Sequence, residues 1–292
     1  MTSGVEVVEV TDPGCSWAWG SEPKIRLLRH RYGDRVAWRR VLGGLVEDMA
    51  VTTDDFDPVA SVPRWRSYWE KVSGYTGAPW PATLWRMYTS TFPACAAAKA
   101  AEWQGVRIGD HVLRRLREAT FVFGDPPVSA ASMAAALTGI PGLDIDRLLE
   151  DAESPEVEAA FGSDREFARD PDPYVIGLDD PGEGSGRAKR DGDRRRYAFP
   201  TLLIAGPGGR AVVPGWKPLD RYLGALEVAS PGITSEPPAD LSPDEYLERW
   251  RTATDADFET GCGGVRPEAA RWVDLGGGRL WLATIEAEER GL

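Results

Sequence analysis

The chain opens on a short apolar run, Val5-Glu-Val-Val-Glu-Val10, that predicts a buried strand over residues 4–10. Asp12-Pro13-Gly14 is turn chemistry that ends it. Ile25, Leu27 and Leu28 then fall at helical spacing and predict one helix over 16–31. Arg35 to Leu42 alternates loosely through Val36, Trp38 and Val41, which predicts a second strand. The linking helix has the length a right-handed crossover between parallel strands needs.

Gly43-Gly44 ends that strand, and residues 46–170 show helical periodicity without a convincing strand. Helices are expected over Pro63–Ser73 (Trp65, Tyr68, Trp69, Val72), Pro93–Gly105, Asp110–Phe123, Ser129–Gly139, Asp144–Ala152 and Pro155–Arg169, with a short segment at Pro81–Tyr88. Asp170 to Arg196 is rich in Pro, Gly, Asp and Arg and predicts an exposed loop. Thr201–Ala205 and Ala211–Val213, joined by Gly206-Pro-Gly-Gly209, predict a hairpin, and Pro218–Leu226 a helix. Pro231–Pro238 reads as a linker. Beyond it Ser242-Pro-Asp-Glu245 carries a helix cap, with Tyr246, Leu247 and Trp250 on the apolar face. Arg271–Leu275 and Arg279–Ala283 flank three glycines as a second hairpin, so the tail resembles a shrunken winged helix and a separate small module.

The chain has 292 residues, 42% of them hydrophobic, enough for one large domain or two. A net charge of −12 argues against a nucleic-acid or anionic-membrane surface, which needs basic patches. The tail, with 13 acidic and 6 basic residues over 236–292, argues against DNA binding in particular. Met1-Thr-Ser-Gly has no basic n-region, so no signal peptide is expected, and no stretch has the length of a membrane span. Cys15, Cys95 and Cys262 lie too far apart for a disulfide framework or a metal site, which points to a reducing cytoplasm. His30 and His111 add no ligand spacing, and no metal is expected. Gly182-Glu-Gly-Ser-Gly186 follows no strand and opens no helix, so it fails as a phosphate loop.

Cys15 carries the candidate chemistry. It falls where a helix begins, facing unpaired N–H groups and the positive end of the dipole, both of which favour thiolate. Tryptophan on either side of Ala18 would oppose this by desolvation.

Asp-Pro-x-Cys15-x-Trp-x-Trp-Gly followed by Glu22-Pro23 resembles the DsbA-like thioredoxin-fold family, in the branch of the FrnE-type and 2-hydroxychromene-2-carboxylate isomerase-like proteins. Trp38-Arg-Arg-Val-Leu-Gly-Gly-Leu45, Ser90–Ala101 and Phe199-Pro200-Thr201 resemble its second strand, a helix start in its helical insertion and its cis-proline loop. The resemblance implies an α/β fold: a thioredoxin-like fold with an inserted all-helical domain, here with the small C-terminal α+β extension. The divisions are 1–45 (first half, β-α-β), 46–170 (insertion), 171–230 (second half with the cis-Pro loop) and 231–292 (linker and tail). The family's Cys-x-x-Cys maps its second cysteine onto Ala18, so this is a single-cysteine variant.

The resemblance implies a thiol–disulfide oxidoreductase or isomerase in which Cys15 does the exchange, and the cysteine usage sets it in the cytoplasm, apart from the family's periplasmic oxidants. Ser16, Trp17 and Trp19 are candidate substrate-binding residues, with core packing the competing role for Trp19. Phe199, Pro200 and Tyr197 are the candidates from the second half. Trp65, Trp69, Trp80 and Trp85 are candidates to roof the cleft, against the ordinary role of an aromatic stripe in a core. The six cations in Arg187–Arg196 could recruit an anionic substrate, or form a solvated loop. Cys95 is expected to be buried. Cys262 is a remote candidate to resolve Cys15. No tightly bound cofactor is expected; a low-molecular-weight thiol is the candidate co-substrate. Two further readings use the same fold: a small-thiol-dependent isomerase or transferase acting on an aromatic or polyketide-like molecule, and a non-catalytic protein-binding adaptor of the SpxH kind. The balance favours an enzyme, with a small-molecule or protein thiol or disulfide as its partner and neither nucleic acid nor membrane.

Overall fold

A computed structural model describes residues 4–235 and 237–292. The opening Met1–Ser3, read for a leader, and Glu236 in the linker lie outside the described residues. β1 (Val5–Thr11) leads through α1 (Ser16–Trp19) and α2 (Glu22–Tyr32) to β2 (Val36–Leu42), which pairs parallel to β1. The single helix expected over 16–31 is two. Pro23 lies in the first turn of α2 and has no N–H to continue the ladder of α1, so the helix stops at Gly20 and restarts.

The insertion holds α3 (Met49–Thr52), α4 (Val62–Thr76), α5 (Phe92–Glu102), α6 (Val106–Phe121), α7 (Ala130–Leu137), α8 (Ile145–Ala152), α9 (Pro155–Ala168) and α10 (Pro173–Ile176). Ser129, Asp144 and Ser154 cap α7, α8 and α9 by accepting from the N–H three residues on. Pro81–Tyr88 is not helical. Two prolines within three residues (Pro79, Pro81) bracket Trp80, whose backbone pairs instead with Gly276 in an isolated bridge.

The segment expected as an exposed loop over 170–196 is more ordered than that. Val175 and Ala188 are buried, and β3 (Lys189–Asp191) and β4 (Arg194–Arg196) form a hairpin around Gly192-Asp193, with Gly192 at φ 58°. β5 (Thr201–Gly206) and β6 (Gly209–Pro214) follow, then α11 (Leu219–Ala229). The central sheet runs β2-β1-β5-β6, with β5 antiparallel to β1 and β6. Val5, Val7, Leu202 and Ile204 pack one face of it against Ile25, Leu28, Tyr222 and Leu226 of α2 and α11. Val8, Val10 and Val41 turn the other way, toward Ala168, Val175, Tyr197 and Phe199. The carboxyl end of β1 and the amino end of β5 are thereby brought side by side.

The tail comprises α12 (Pro243–Trp250), β7 (Thr252–Thr254), α13 (Asp255–Gly261), β8 (Arg271–Leu275), β9 (Gly278–Leu282) and α14 (Thr284–Glu289), its sheet ordered β7-β9-β8. Three-residue β7 is too short to leave a pattern. The tail does not stand apart. Leu280, Leu282 and Ala287 share a core with Trp19, Met49 and Phe121, and Trp80 lies so close to Gly276 that a Cβ there would come within 2.3 Å of its ring.

Candidate active site

The turn after β1 is fixed by Asp12. Its carboxylate is fully buried and accepts from Leu45 N (2.6 Å), Gly14 N (2.7 Å), Thr91 Oγ1 (3.1 Å) and Cys95 Sγ (3.3 Å). One side chain thus ties the β1–α1 turn, the exit of β2 and the start of α5. Tyr88 adds a hydrogen bond from its hydroxyl to the Gly14 carbonyl (2.9 Å). Sequence alone reads Asp12 as turn chemistry; that its carboxylate is an anchor depends on donors 33 to 83 residues away.

Cys15 caps the four-residue α1 and is 6% exposed. Its Sγ donates to the Phe199 carbonyl at 3.4 Å, and the Phe199–Pro200 peptide bond is cis. Gly43 leaves room for this approach: a Cβ there would fall 2.1 Å from the Phe199 ring. The expected thiolate is not what the surroundings favour. Burial pushes the Cys15 thiol up from 9.0 to about 11, and buried Asp12 adds to the rise. The N–H groups of Ala18 and Trp17 and the Arg196 guanidinium pull the other way. A single helical turn offers two N–H groups and little dipole, too little to offset full desolvation.

The sulfur sits in a cleft of about 730 Å³. Ser16 and Trp17 line it beside Cys15, as does Phe199, while Pro200 does not. The Trp17 indole donates to the Tyr68 hydroxyl (2.9 Å), which fixes the ring against the insertion. Trp65, Tyr68 and Trp69 of α4 form the facing wall. Tyr68 was visible only as one residue of an aromatic stripe.

Several candidates lie elsewhere. Trp19 is core: its indole donates to the Pro79 carbonyl (2.9 Å) and its ring stacks on Phe121. Tyr197 is buried, accepts from Asp172 N (2.9 Å) and stacks on Phe167, away from the cleft. Trp80 packs on the tail glycines, and Trp85 is exposed outside the cleft. Cys95 is buried under Asp12, where burial and that carboxylate hold its thiol well above 9.0. Cys262 belongs to the tail's core with Tyr246 and Phe258. Gly182–Ser185 and residues of the β3–β4 hairpin, expected in an exposed loop, also line the cleft. No group of three or more His, Cys, Asp or Glu among the described residues could hold a metal ion. No helix among them is long and apolar enough to cross a membrane.

A β-α-β half, a helical insertion and a strand entered through a cis X-Pro bond beside a cysteine define a DsbA-like thioredoxin-fold protein. A family model described as thioredoxin matches residues 10–172, and the chain belongs to that family. It is 26% identical over 174 residues to the ClpXP adapter protein SpxH of Halalkalibacterium halodurans, covering 59% of this chain and 56% of that one. The SpxH of Bacillus subtilis is 25% identical over 175 residues. The chain thus spans a little over half the length of the curated relatives it matches. In fold it is similar to a probable DsbA oxidoreductase from Streptomyces coelicolor (TM-score 0.52, 15% identity, 81% of this chain and 93% of that one). It is also similar to the cytosolic disulfide reductase DsbM of Pseudomonas aeruginosa (TM-score 0.51, 17% identity, 77% and 93%).

Proposed function

We propose that this chain is a cytoplasmic DsbA-like thiol–disulfide exchange protein working through Cys15 alone. The observation that carries the reading is the Cys15 sulfur, held against the Phe199 carbonyl of the cis Phe199–Pro200 bond at the floor of an aromatic-walled cleft. Neither Cys95 nor Cys262 lines that cleft.

The exchange balances without an added oxidant. Cys15 gives up its proton, and its sulfur attacks one sulfur of a substrate disulfide. A Cys15–substrate disulfide forms, the original S–S bond breaks, and the second sulfur leaves as a thiolate that takes a proton. Ala18 supplies no resolving thiol, so an external thiol must attack the mixed disulfide and release Cys15. A low-molecular-weight thiol suits that role. The outcome is a disulfide exchanged, not net oxidised. With burial pushing its thiol up to about 11, Cys15 holds little thiolate in the resting protein at neutral pH. Exchange is therefore gated by whatever relieves the burial of Cys15.

The test is incubation of the full chain with a small disulfide, followed by intact-mass and peptide mass spectrometry. One adduct on the Cys15 peptide, lost in Cys15→Ser and removed by added thiol, is the expected result. No adduct on Cys15 after long incubation would overturn the reading. A second reading is favoured by the SpxH similarity together with the suppressed thiolate: a protein-binding adaptor in which Cys15 is structural. In that case Cys15→Ser leaves partner binding intact.

A further inference from the structure

Four cations face the Cys15 cleft without a carboxylate partner. Arg64 comes from α4, and Lys189, Arg190 and Arg196 from the β3–β4 hairpin opposite. Among the described residues none of the four lies at ion-pair distance from an acidic side chain, although Arg169, Lys217, Lys99 and Arg40 elsewhere in the fold all do. Arg196 makes one hydrogen bond, from Nη1 to the Tyr197 carbonyl (2.9 Å). Its Nε is buried without a partner, and its guanidinium lies 4.7 Å over the Phe199 ring. Partial burial lowers the pKa of both Arg196 and Lys189, while Asp191 near Arg196, and Asp180 and Glu183 near Lys189, pull the other way without coming to ion-pair distance.

The cleft's own two carboxylates make their ion pairs elsewhere, although Asp191 still acts at longer range on Arg196 and Glu183 on Lys189. Glu183 pairs with Lys71, and Asp191 with Arg169 at 2.6 Å; neither of those cations lines the cleft. In a chain with 46 acidic residues and a net charge of −12, a positive cleft is not a by-product of composition. The aromatic rings of Trp17, Trp65 and Tyr68 line the same cleft. The cleft volume suits a small molecule.

We propose that the cleft binds a small aromatic molecule carrying two or more acidic groups. Its acids lie on Arg196 and Lys189 at one side and on Arg64 at the other, with its ring against Trp17. It rests on the thiol-exchange reading only in that the substrate also presents a thiol or disulfide sulfur to Cys15; the anion subsite stands without it. Because the two groups of cations belong to different parts of the chain, such a ligand ties the hairpin to α4 across the cleft. The Lys71–Glu183 pair already ties α4 to the loop that leads into the hairpin.

The subsite is tested apart from the sulfur by titrating the full chain carrying Cys15→Ser with biphenyl dicarboxylate in a calorimeter at low salt. The diacid should bind at least roughly tenfold more tightly than its uncharged diamide, and Arg196→Gln and Lys189→Gln should each weaken it by about tenfold. Added salt should weaken it as well. Arg195→Gln removes an equal charge from the same hairpin outside the cleft and should leave affinity unchanged. Lys189 is the more exposed of the two, so its replacement keeps the test open if Arg196→Gln fails to fold. Equal binding of diacid and diamide, indifference to Lys189→Gln, or no binding at all would overturn the proposal. The sulfur arm uses the native Cys15 chain with dithiobis-nitrobenzoate, an aromatic disulfide with two carboxylates, against uncharged dithiodipyridine, each rate normalised to that with free cysteine. Preference for the dianion supports the proposal and its loss in Lys189→Gln assigns it; equal normalised rates overturn it. Silence of Cys15 toward both reagents sinks thiol exchange while the calorimetric arm still decides the subsite.

Discussion

Cys15 shows how two opposed local effects are resolved by magnitude. The position at the start of a helix favours thiolate, and burial favours thiol. Here α1 has four residues and Cys15 is 6% exposed, so burial wins and the pKa rises to about 11. Alkylation of Cys15 by iodoacetamide should therefore climb about tenfold per pH unit from 7 to 10 without levelling off. A plateau below pH 8 in peptide mass spectrometry would show a stabilised thiolate and refute this account. The folded protein holds this proton more tightly than the unfolded chain, whose thiol titrates near 9.0. The resulting stabilisation is complete below pH 9.0 and is lost as pH rises through about 11. Asp12 is the second residue whose role rests on its surroundings. Replacing it with Ala leaves the N–H groups of Gly14 and Leu45 unpartnered, while Thr91 retains an acceptor in the Val46 carbonyl. Burial lifts the Asp12 pKa, so desolvation already offsets part of what its hydrogen bonds contribute. We expect a net loss of about 2 kcal/mol in urea denaturation; no change in midpoint would show that the turn holds itself.

At the scale of elements, what the sequence made legible was local and periodic. The valine run, the cap Ser242-Pro-Asp-Glu245 and the glycine-centred hairpin at 276–278 became β1, the start of α12 and the β8–β9 turn because each carries its own signal. The Cys15 and Phe199-Pro200 motifs were legible through family resemblance, and the sheet does place them together. Trp19 took the core role that competed for it, and Tyr197 lies away from the cleft, because neighbours in sequence need not share a face. Two residues beyond Trp17, the ring of Trp19 points into the core against Phe121. The basic run, open between a solvated loop and an anion-recruiting one, forms an exposed hairpin that was not legible because its alternation spans only three residues per strand. Gly43 marks where β2 must yield to the loop from the other half of the fold. Gly43→Ala would drive a methyl group into the Phe199 ring. It should cost about 1–3 kcal/mol through overpacking. By displacing the carbonyl that receives the thiol it should also speed Cys15 alkylation. Unaltered stability and labelling would mean that the ring moves freely and does not fix the sulfur.

Across the whole molecule, the tail that composition set apart is joined to the rest by charge buried on every side. Glu118 of α6 is fully buried and accepts from Arg114 Nε (2.7 Å) and from Arg290 Nη2 of the tail (2.6 Å), with the Thr252 hydroxyl beside them. Arg114 also reaches Glu22 of α2 (3.3 Å) and Asp257 of α13 (3.5 Å), and Arg26 donates to the Thr252 carbonyl (2.7 Å). Such a network adds little net stability when whole, but removing one member strands the others without compensation. A sequence shows the charges and not their convergence, because the partners of Glu118 lie 4, 134 and 172 residues away. Glu118→Ala should therefore cost about 3–5 kcal/mol at pH 7. It should do so in a single transition that carries tail and thioredoxin half together. The arginines beside it hold the Glu118 carboxyl well below its ordinary 4.5. Its contribution is thus fully present above pH 4.5 and lost as pH falls below it, so the gap between wild type and Glu118→Ala should narrow on acidification. A tail that melts separately in calorimetry, or a gap that stays constant from pH 7 down to about pH 3, would show that these charges do not join the tail to the fold.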